Sequence, residues 1–155
     1  MVLVGAPVAA DLLGDLARPL DGRSMRSTST QRNEDGSYAH GNWDNSNVAP
    51  GATKVVLDAK GPGMVTHMWF TFLGPEKQAW APEGSANHQE LLLRVFYDGS
   101  DRPGVEAPFG DFFANSFGKR VPVISIPVVV EDADSYNCYW RMPFRRSIRA
   151  EIVNE

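Results

Sequence analysis

Cysteine is almost missing from this chain. Cys138 stands alone among 155 residues, so no intrachain disulfide can staple the fold. Long hydrophobic runs are missing too, and no stretch is apolar for long enough to span a bilayer as a helix. Basic charge is not in excess. Lys and Arg number 15 against 19 Asp and Glu, and the resulting net charge of −4 disfavours nucleic acid and anionic membranes as partners. His40, His67 and His88 have no metal-type spacing to one another or to Cys138, which argues against a zinc site. There is no glycine-rich phosphate loop and no Gly-x-Ser-x-Gly nucleophile elbow.

What is present suits one globular domain. Hydrophobic residues make up 43% and charged residues 22%, and the length is enough to bury a core. The first ten residues are apolar and end in small side chains, but they carry no basic n-region. They read as a structured or frayed terminus, a signal remnant being the alternative, and the compartment stays open between cytoplasmic and exported. Leu12, Leu13, Leu16 and Leu20 have helical spacing, interrupted by Gly14 and ended by Pro19. Residues 1–20 are therefore expected to form a short helix or extension, and residues 21–155 a single domain.

The rest is punctuated by 14 Gly and 11 Pro, with short β-rich runs between them. Asp21 to Gly51 is a long polar loop, a length that is usually functional or disordered, and Trp43 in its middle argues for a folded loop. Strands are predicted at Thr53 to Lys60, Met64 to Leu73, Gln89 to Tyr97, Val121 to Glu131 and Ser147 to Asn154. The run from Met64 is apolar on both faces, which predicts a central strand covered on both sides. Pro122 and Pro127 each delete a ladder donor, so that run is expected at an edge or in two pieces. In the last run Ile148, Ala150 and Ile152 face inward, Arg149 and Glu151 outward. Asp98-Gly99 is hairpin-turn chemistry. Short strands with long excursions predict a mostly β fold, a β-sandwich of jelly-roll type.

The chemistry-bearing residues gather in two places. After the strand ending at Tyr97 come Glu106 and Asp111, set among Pro108, Phe109 and Phe112. A sheet followed by an acid-and-aromatic loop is a common way to build a sugar site, and apolar surroundings suit a general acid. Against this, Asp111 before an apolar run also reads as the cap of a turn or helix starting at Phe112, and Glu106 as a solvated charge. Asn42, Trp43, Asp44 and Asn45 offer a ring to stack on a sugar and groups to bond its hydroxyls. The alternative is a loop whose Trp packs on the sandwich while its polar neighbours make turns. His67 reads as a structural residue in mid-strand, and Cys138 as a small buried hydrophobe. The acidic turn at Glu131, Asp132 and Asp134 lacks the EF-hand pattern and reads as solvated loop rather than calcium site. Arg141, Arg145, Arg146 and Arg149 form a basic patch suited to pairing across a subunit interface.

Several segments in order carry a family resemblance. They are Asp21-Gly22-Arg23-Ser24-Met25-Arg26-Ser27-Thr28-Ser29-Thr30, Asn42-Trp43-Asp44-Asn45 with Pro50-Gly51, Gly61-Pro62-Gly63-Met64-Val65-Thr66-His67-Met68-Trp69, Tyr97-Asp98-Gly99 through Gly110-Asp111-Phe112-Phe113, and Tyr136-Asn137-Cys138-Tyr139-Trp140-Arg141-Met142-Pro143-Phe144-Arg145. Together they resemble the N-terminal half of glycoside hydrolase family 172, long catalogued as domain of unknown function 2961. The resemblance implies the first of two tandem jelly rolls, trimer-based homo-oligomers, and a retaining hydrolase of α-linked D-fructofuranosides or D-arabinofuranosides that needs no cofactor. It places the two catalytic glutamates in the second half, one in a Gly-Thr-Glu-Asp-Tyr-Phe segment. This chain's nearest counterpart is Phe109-Gly110-Asp111-Phe112-Phe113, so no catalytic pair carries over, and the chain alone is expected to be inactive. Glu106 and Asp111 remain the candidate carboxylates, and Asn42, Trp43, Asp44, Asn45 and Phe112 the candidate sugar contacts. The alternative is a complete, non-catalytic carbohydrate-binding or assembly module.

Overall fold

Alternation of buried and exposed side chains dominates the architecture. The computed structural model describes residues 19, 21–37, 46–72, 74–77, 79, 82, 84–132 and 134–155. The expected helix at Leu12, Leu13, Leu16 and Leu20 lies outside the described residues. The chain is mostly β: β1 (Thr53–Lys60), β2 (Gly63–Val65), β3 (Met68–Thr71), β4 (Leu91–Tyr97), β5 (Val105–Pro108), the single-turn helix α1 (Phe109–Phe112), β6 (Val123–Ile124), β7 (Val128–Glu131), β8 (Ser135–Cys138), β9 (Met142–Phe144) and β10 (Ser147–Asn154). The strands form antiparallel sheets in the orders β1-β10-β4-β5, β3-β8-β7-β6 and β2-β9. Among the described residues no helix is long and apolar enough to cross a membrane.

The two four-stranded sheets share one core. Leu91, Leu93, Val95, Ile148, Ala150 and Ile152 come from the first sheet, and Val128, Val130, Tyr136 and Cys138 from the second. Register sets these residues opposite one another: Ile152 pairs with Leu93 and Ala150 with Val95 across β10 and β4, and Val130 with Tyr136 across β7 and β8. Because side chains alternate with period two, a slip of one residue would turn either set out to solvent. Each fully buried aliphatic side chain contributes about 1.5–3 kcal/mol. Burial pushes the Cys138 thiol up, as expected of a small buried hydrophobe rather than a reactive thiolate.

An aromatic cluster closes the core beside α1. Phe109 and Phe113 are buried, with ring centroids 4.9 Å apart. Phe70 meets Phe109 edge-on at 5.4 Å, and Tyr136 meets Phe113 edge-on at 5.5 Å. Such geometry adds to plain burial.

Two of the predicted strands differ from expectation: the Met64 run, and the Ser147–Asn154 run, where Glu151, expected outward, is buried. The Met64 run is not one central strand. It breaks at Thr66-His67, its first piece pairing with β9 and its second, β3, forming an edge beside β8. Trp69, expected under cover, is exposed, and His67 sits in the break rather than in mid-strand. An apolar pattern on both faces reports side-chain chemistry, and here it does not report burial. The Val121 run does break in two around Pro127, and β6 lies at the sheet edge, as the prolines require. Asp98 and Gly99 have φ of 58° and 79°, both left-handed as the turn chemistry predicts, but the ladder between β4 and β5 closes at Val95 and Val105, so the connection is a longer loop than a two-residue hairpin.

Candidate functional site

A cleft of about 280 Å³ opens where the first sheet meets the loop after α1, lined by Gln89, Asp111, Ser116 and Phe117. It lies at the small end of ligand-pocket sizes, with room for about one sugar ring. Gln89 precedes β4, Asp111 lies in α1, and Ser116 and Phe117 follow it, so chain segments 22 residues apart converge. Gln89 Nε2 donates to Asp111 Oδ1 at 2.9 Å. That bond orients the carboxylate and leaves its second oxygen for another donor. Asp111 is not the helix cap: Pro108 holds that position, no side chain caps the helix, and Asp111 sits in its first turn. A carboxylate is favourable there beside the free N–H groups.

Buried polar contacts hold the cleft's walls. His88 is fully buried and its Nε2–H donates to the Asn115 carbonyl at 2.8 Å. The Gly110 N–H donates to the His88 carbonyl at 3.0 Å, and the Asn115 N–H to the Gly110 carbonyl at 2.7 Å. Asn115 is itself buried, and its side-chain amide closes the loop, donating to the Val121 carbonyl at 3.0 Å and accepting from the Val121 N–H at 2.9 Å. Arg120 anchors the loop's far end. Its side chain bonds Glu76 at 2.6 Å, the Phe72 carbonyl at 3.2 Å, Asp134 and the phenol of Tyr136.

On this anchored loop Phe117 is 93% exposed and has φ of 62°. A bulky side chain in the left-handed region costs on the order of 1–3 kcal/mol, a strain that concentrates where a side chain is displayed for use. Ala114, at φ 60°, bends the chain in the preceding turn of the same loop.

Among the described residues that sequence singled out, only Asp111 lines this cleft. Glu106 lies on β5 opposite Arg94, whose Nε donates to its Oε2 at 2.6 Å on the partly exposed outer face of the first sheet. Phe112 is half-buried and packs edge-on against Phe113 at 5.0 Å. Asn42, Trp43, Asp44 and Asn45 lie outside the described residues. Of the basic patch, Arg146 bonds the Asp98 carbonyl, and Arg149 sits 4.4 Å over the Phe96 ring and 3.4 Å from Glu151. These two arginines are thus engaged within the chain. In the acidic turn Asp134 is paired with Arg120, and among the described residues no cluster of His, Cys, Asp or Glu could hold a metal. Gln89, Ser116 and Phe117 escaped sequence reasoning. The available signal was a phenylalanine beside Gly118 in a short polar loop, where a core aromatic has no reason to sit.

A second depression of about 270 Å³ lies on the outer face of the first sheet and includes Asp58, Lys60, Ser147 and Arg149. It is charged, with Arg149 held over Phe96, whereas the cleft at Asp111 combines one exposed ring with a carboxylate, an amide and a hydroxyl.

An antiparallel β scaffold that carries a small aromatic-and-polar cleft on its connecting loops defines the broad class: a mostly β domain with its polar cleft on loops. The chain belongs to the GH172 domain-like family, whose model matches residues 41–155, and this relates it to the glycoside hydrolases. Among curated proteins, none matches the chain at a significant level.

Proposed function

We propose that this chain is the jelly-roll scaffold and sugar-facing wall of a glycoside hydrolase acting on α-linked furanosides of D-fructose or D-arabinose. Membership of the GH172 domain-like family is the observation that carries this reading. The jelly-roll part is supported by late strands pairing with early ones in both large sheets, β10 with β1 and β8 with β3. The wall is the cleft of Gln89, Asp111, Ser116 and Phe117, with the loop around Asn42, Trp43, Asp44 and Asn45 as a further contributor.

Retaining hydrolysis needs two carboxyl groups about 5–5.5 Å apart, one as nucleophile and one as acid and base. Glu106 is engaged by Arg94, and Asp111 is exposed and bonded by Gln89. The family resemblance implies that the catalytic pair belongs to a second jelly roll, with residues 21–155 as the first and a trimer-based homo-oligomer as the assembly, and the engagement of Glu106 and Asp111 is consistent with that reading. The chemistry calls for no cofactor.

The test is to incubate the 155-residue protein with aryl α-D-arabinofuranoside and α-D-fructofuranoside, and separately to titrate it with an α-linked D-arabinofuranose oligosaccharide by NMR. No release of sugar is expected, together with saturable shifts of the Gln89 side-chain amide and the Phe117 ring. Turnover by this chain alone would overturn the scaffold role, and a cleft that stays silent would overturn the wall.

The second reading is a complete, non-catalytic carbohydrate-binding or assembly module. The exposed aromatic and aliphatic side chains of the second sheet favour it. A single-jelly-roll gene product that binds sugar without turnover would decide for it.

A further inference from the structure

Away from the cleft, the outer face of the second sheet carries an ordered group of rings. Trp69 on β3, and Tyr139 and Trp140 just after β8, are 57%, 47% and 53% exposed. His67 lies flat on Tyr139, with ring centroids 4.7 Å apart and planes 10° from parallel. Neutral hydrogen bonds fix Trp69 and His67, and Tyr139 is held by its stack on His67. Trp69 Nε1–H donates to Ser135 Oγ at 3.0 Å, Asn137 Nδ2 donates to the same oxygen at 3.3 Å, and His67 Nε2 bonds Asn137 Oδ1 at 3.1 Å. The string Trp69–Ser135–Asn137–His67 thus ties β3 to β8, where Trp69 stands opposite Asn137 in the register.

We infer that this ring platform is a second carbohydrate-binding site, which stacks the C–H faces of an uncharged furanose oligosaccharide. The inference rests on the carbohydrate reading above and adds a site to it. Three features select this ligand. The cluster of His67, Trp69, Ser135, Asn137 and Tyr139 contains no carboxylate, lysine or arginine, and the carboxylate next to it in the register, Glu131 opposite Ser135, disfavours an anion and can accept from a hydroxyl. Its apolar ring faces are separated by amide and hydroxyl groups, whereas the core of a protein interface is a continuous apolar patch. Trp69 and His67 are already oriented by hydrogen bonds and Tyr139 by its stack on His67, so a weakly held ligand need not supply their ordering entropy. A flexible polyol with alternating apolar faces and hydroxyls matches that spacing.

The Trp69 indole N–H is a built-in reporter. The full 155-residue chain, ¹⁵N-labelled, is titrated with an α-linked D-arabinofuranose hexasaccharide while the Trp69 indole and the Gln89 side-chain amide are followed together. The Trp69 signal is expected to shift saturably. Trp69→Ala should weaken that affinity about tenfold, equivalent to about 1.4 kcal/mol, and Trp69→Phe should recover most of it. Tyr139→Ala, outside a strand, gives the same test should Trp69→Ala fail to fold. If the Gln89 amide moves and the Trp69 indole does not, the platform is overturned and the cleft stands. If neither moves, both are overturned. A Trp69 shift that follows protein concentration without sugar would make the face a protein interface and overturn the inference.

Discussion

Two residues show how tightly single positions control this molecule. Gly110 carries no side chain because none fits: a Cβ there would lie 1.9 Å from His88 Cδ2 and 2.5 Å from the Asn115 carbonyl oxygen. The second contact is backbone and cannot swing away. Gly110→Ala is therefore expected to destabilise the fold by about 1–3 kcal/mol, seen as a lower urea midpoint with unchanged slope. Asp98 acts through charge. Its carboxylate accepts from the backbone N–H groups of Arg146 at 2.6 Å, Arg145 at 2.8 Å and Ser147 at 3.3 Å, and these bonds, that from Arg146 foremost, hold it below its ordinary value. A carboxyl lowered on folding adds stability above its unfolded value and loses it as pH falls through its folded value. Asp98→Asn keeps a residue that tolerates the left-handed turn but discards the charge. Wild type should be the more stable at neutral pH, and the gap should close on the acid side of the normal aspartate range. Thermal melts across pH would check this, and a gap that stays constant would refute the electrostatic account.

At the scale of elements, the loop after α1 depends on Asn115. Its side-chain amide bonds both polar groups of the Val121 backbone, and its own backbone holds Gly110 and His88. Asn115→Ala leaves buried partners unmet, at a cost of about 1–3 kcal/mol for each, and releases the segment that displays Phe117. Faster proteolysis within residues 116–121 is the expected outcome, accompanied by weaker sugar binding in the cleft. An unchanged cleavage rate would mean that Arg120 alone holds the loop. The elements themselves were unequally legible in the sequence. β1 and β4 follow from local pattern because each has one face more buried than the other, whereas β10 alternates only up to Ala150 and is buried on both faces beyond it. The split between β2 and β3 does not, because a strand's choice of sheet depends on partners about 70 residues away, Asn137 and Tyr136 for β3 and Pro143 for β2. The cleft was half legible for the same reason. Asp111 announces itself in an acid-and-aromatic segment, while Gln89, Ser116 and Phe117 acquire meaning only when the Asn115 clamp folds their loop towards the start of β4.

For the whole molecule, the question is where its apolar surface goes. Ile124 and Ile126 are each 90% exposed at the β6 edge. The turn between β6 and β7 holds them there: the Ser125 N–H donates to the Val128 carbonyl at 3.0 Å, and Ser125 Oγ bonds the same carbonyl at 2.7 Å. Exposed isoleucines on an edge strand and on the turn that follows it favour association, because natural edges that stay unpaired are usually charged or blunted. Pro122 and Pro127 limit pairing by strand addition, so side-chain contact is left as the main attraction. This surface and the ring platform lie on one sheet but differ in kind, aliphatic and unbonded here, aromatic and hydrogen-bonded there. If the proposed homo-oligomer forms through this surface, the double variant Ile124→Lys with Ile126→Lys should sediment closer to the monomer than wild type at the same concentration. The Trp69 indole response to sugar should be unaffected. If the variant's sedimentation matched wild type, the subunit contacts would have to be sought on another face, with the charged outer surface of the first sheet the next to test.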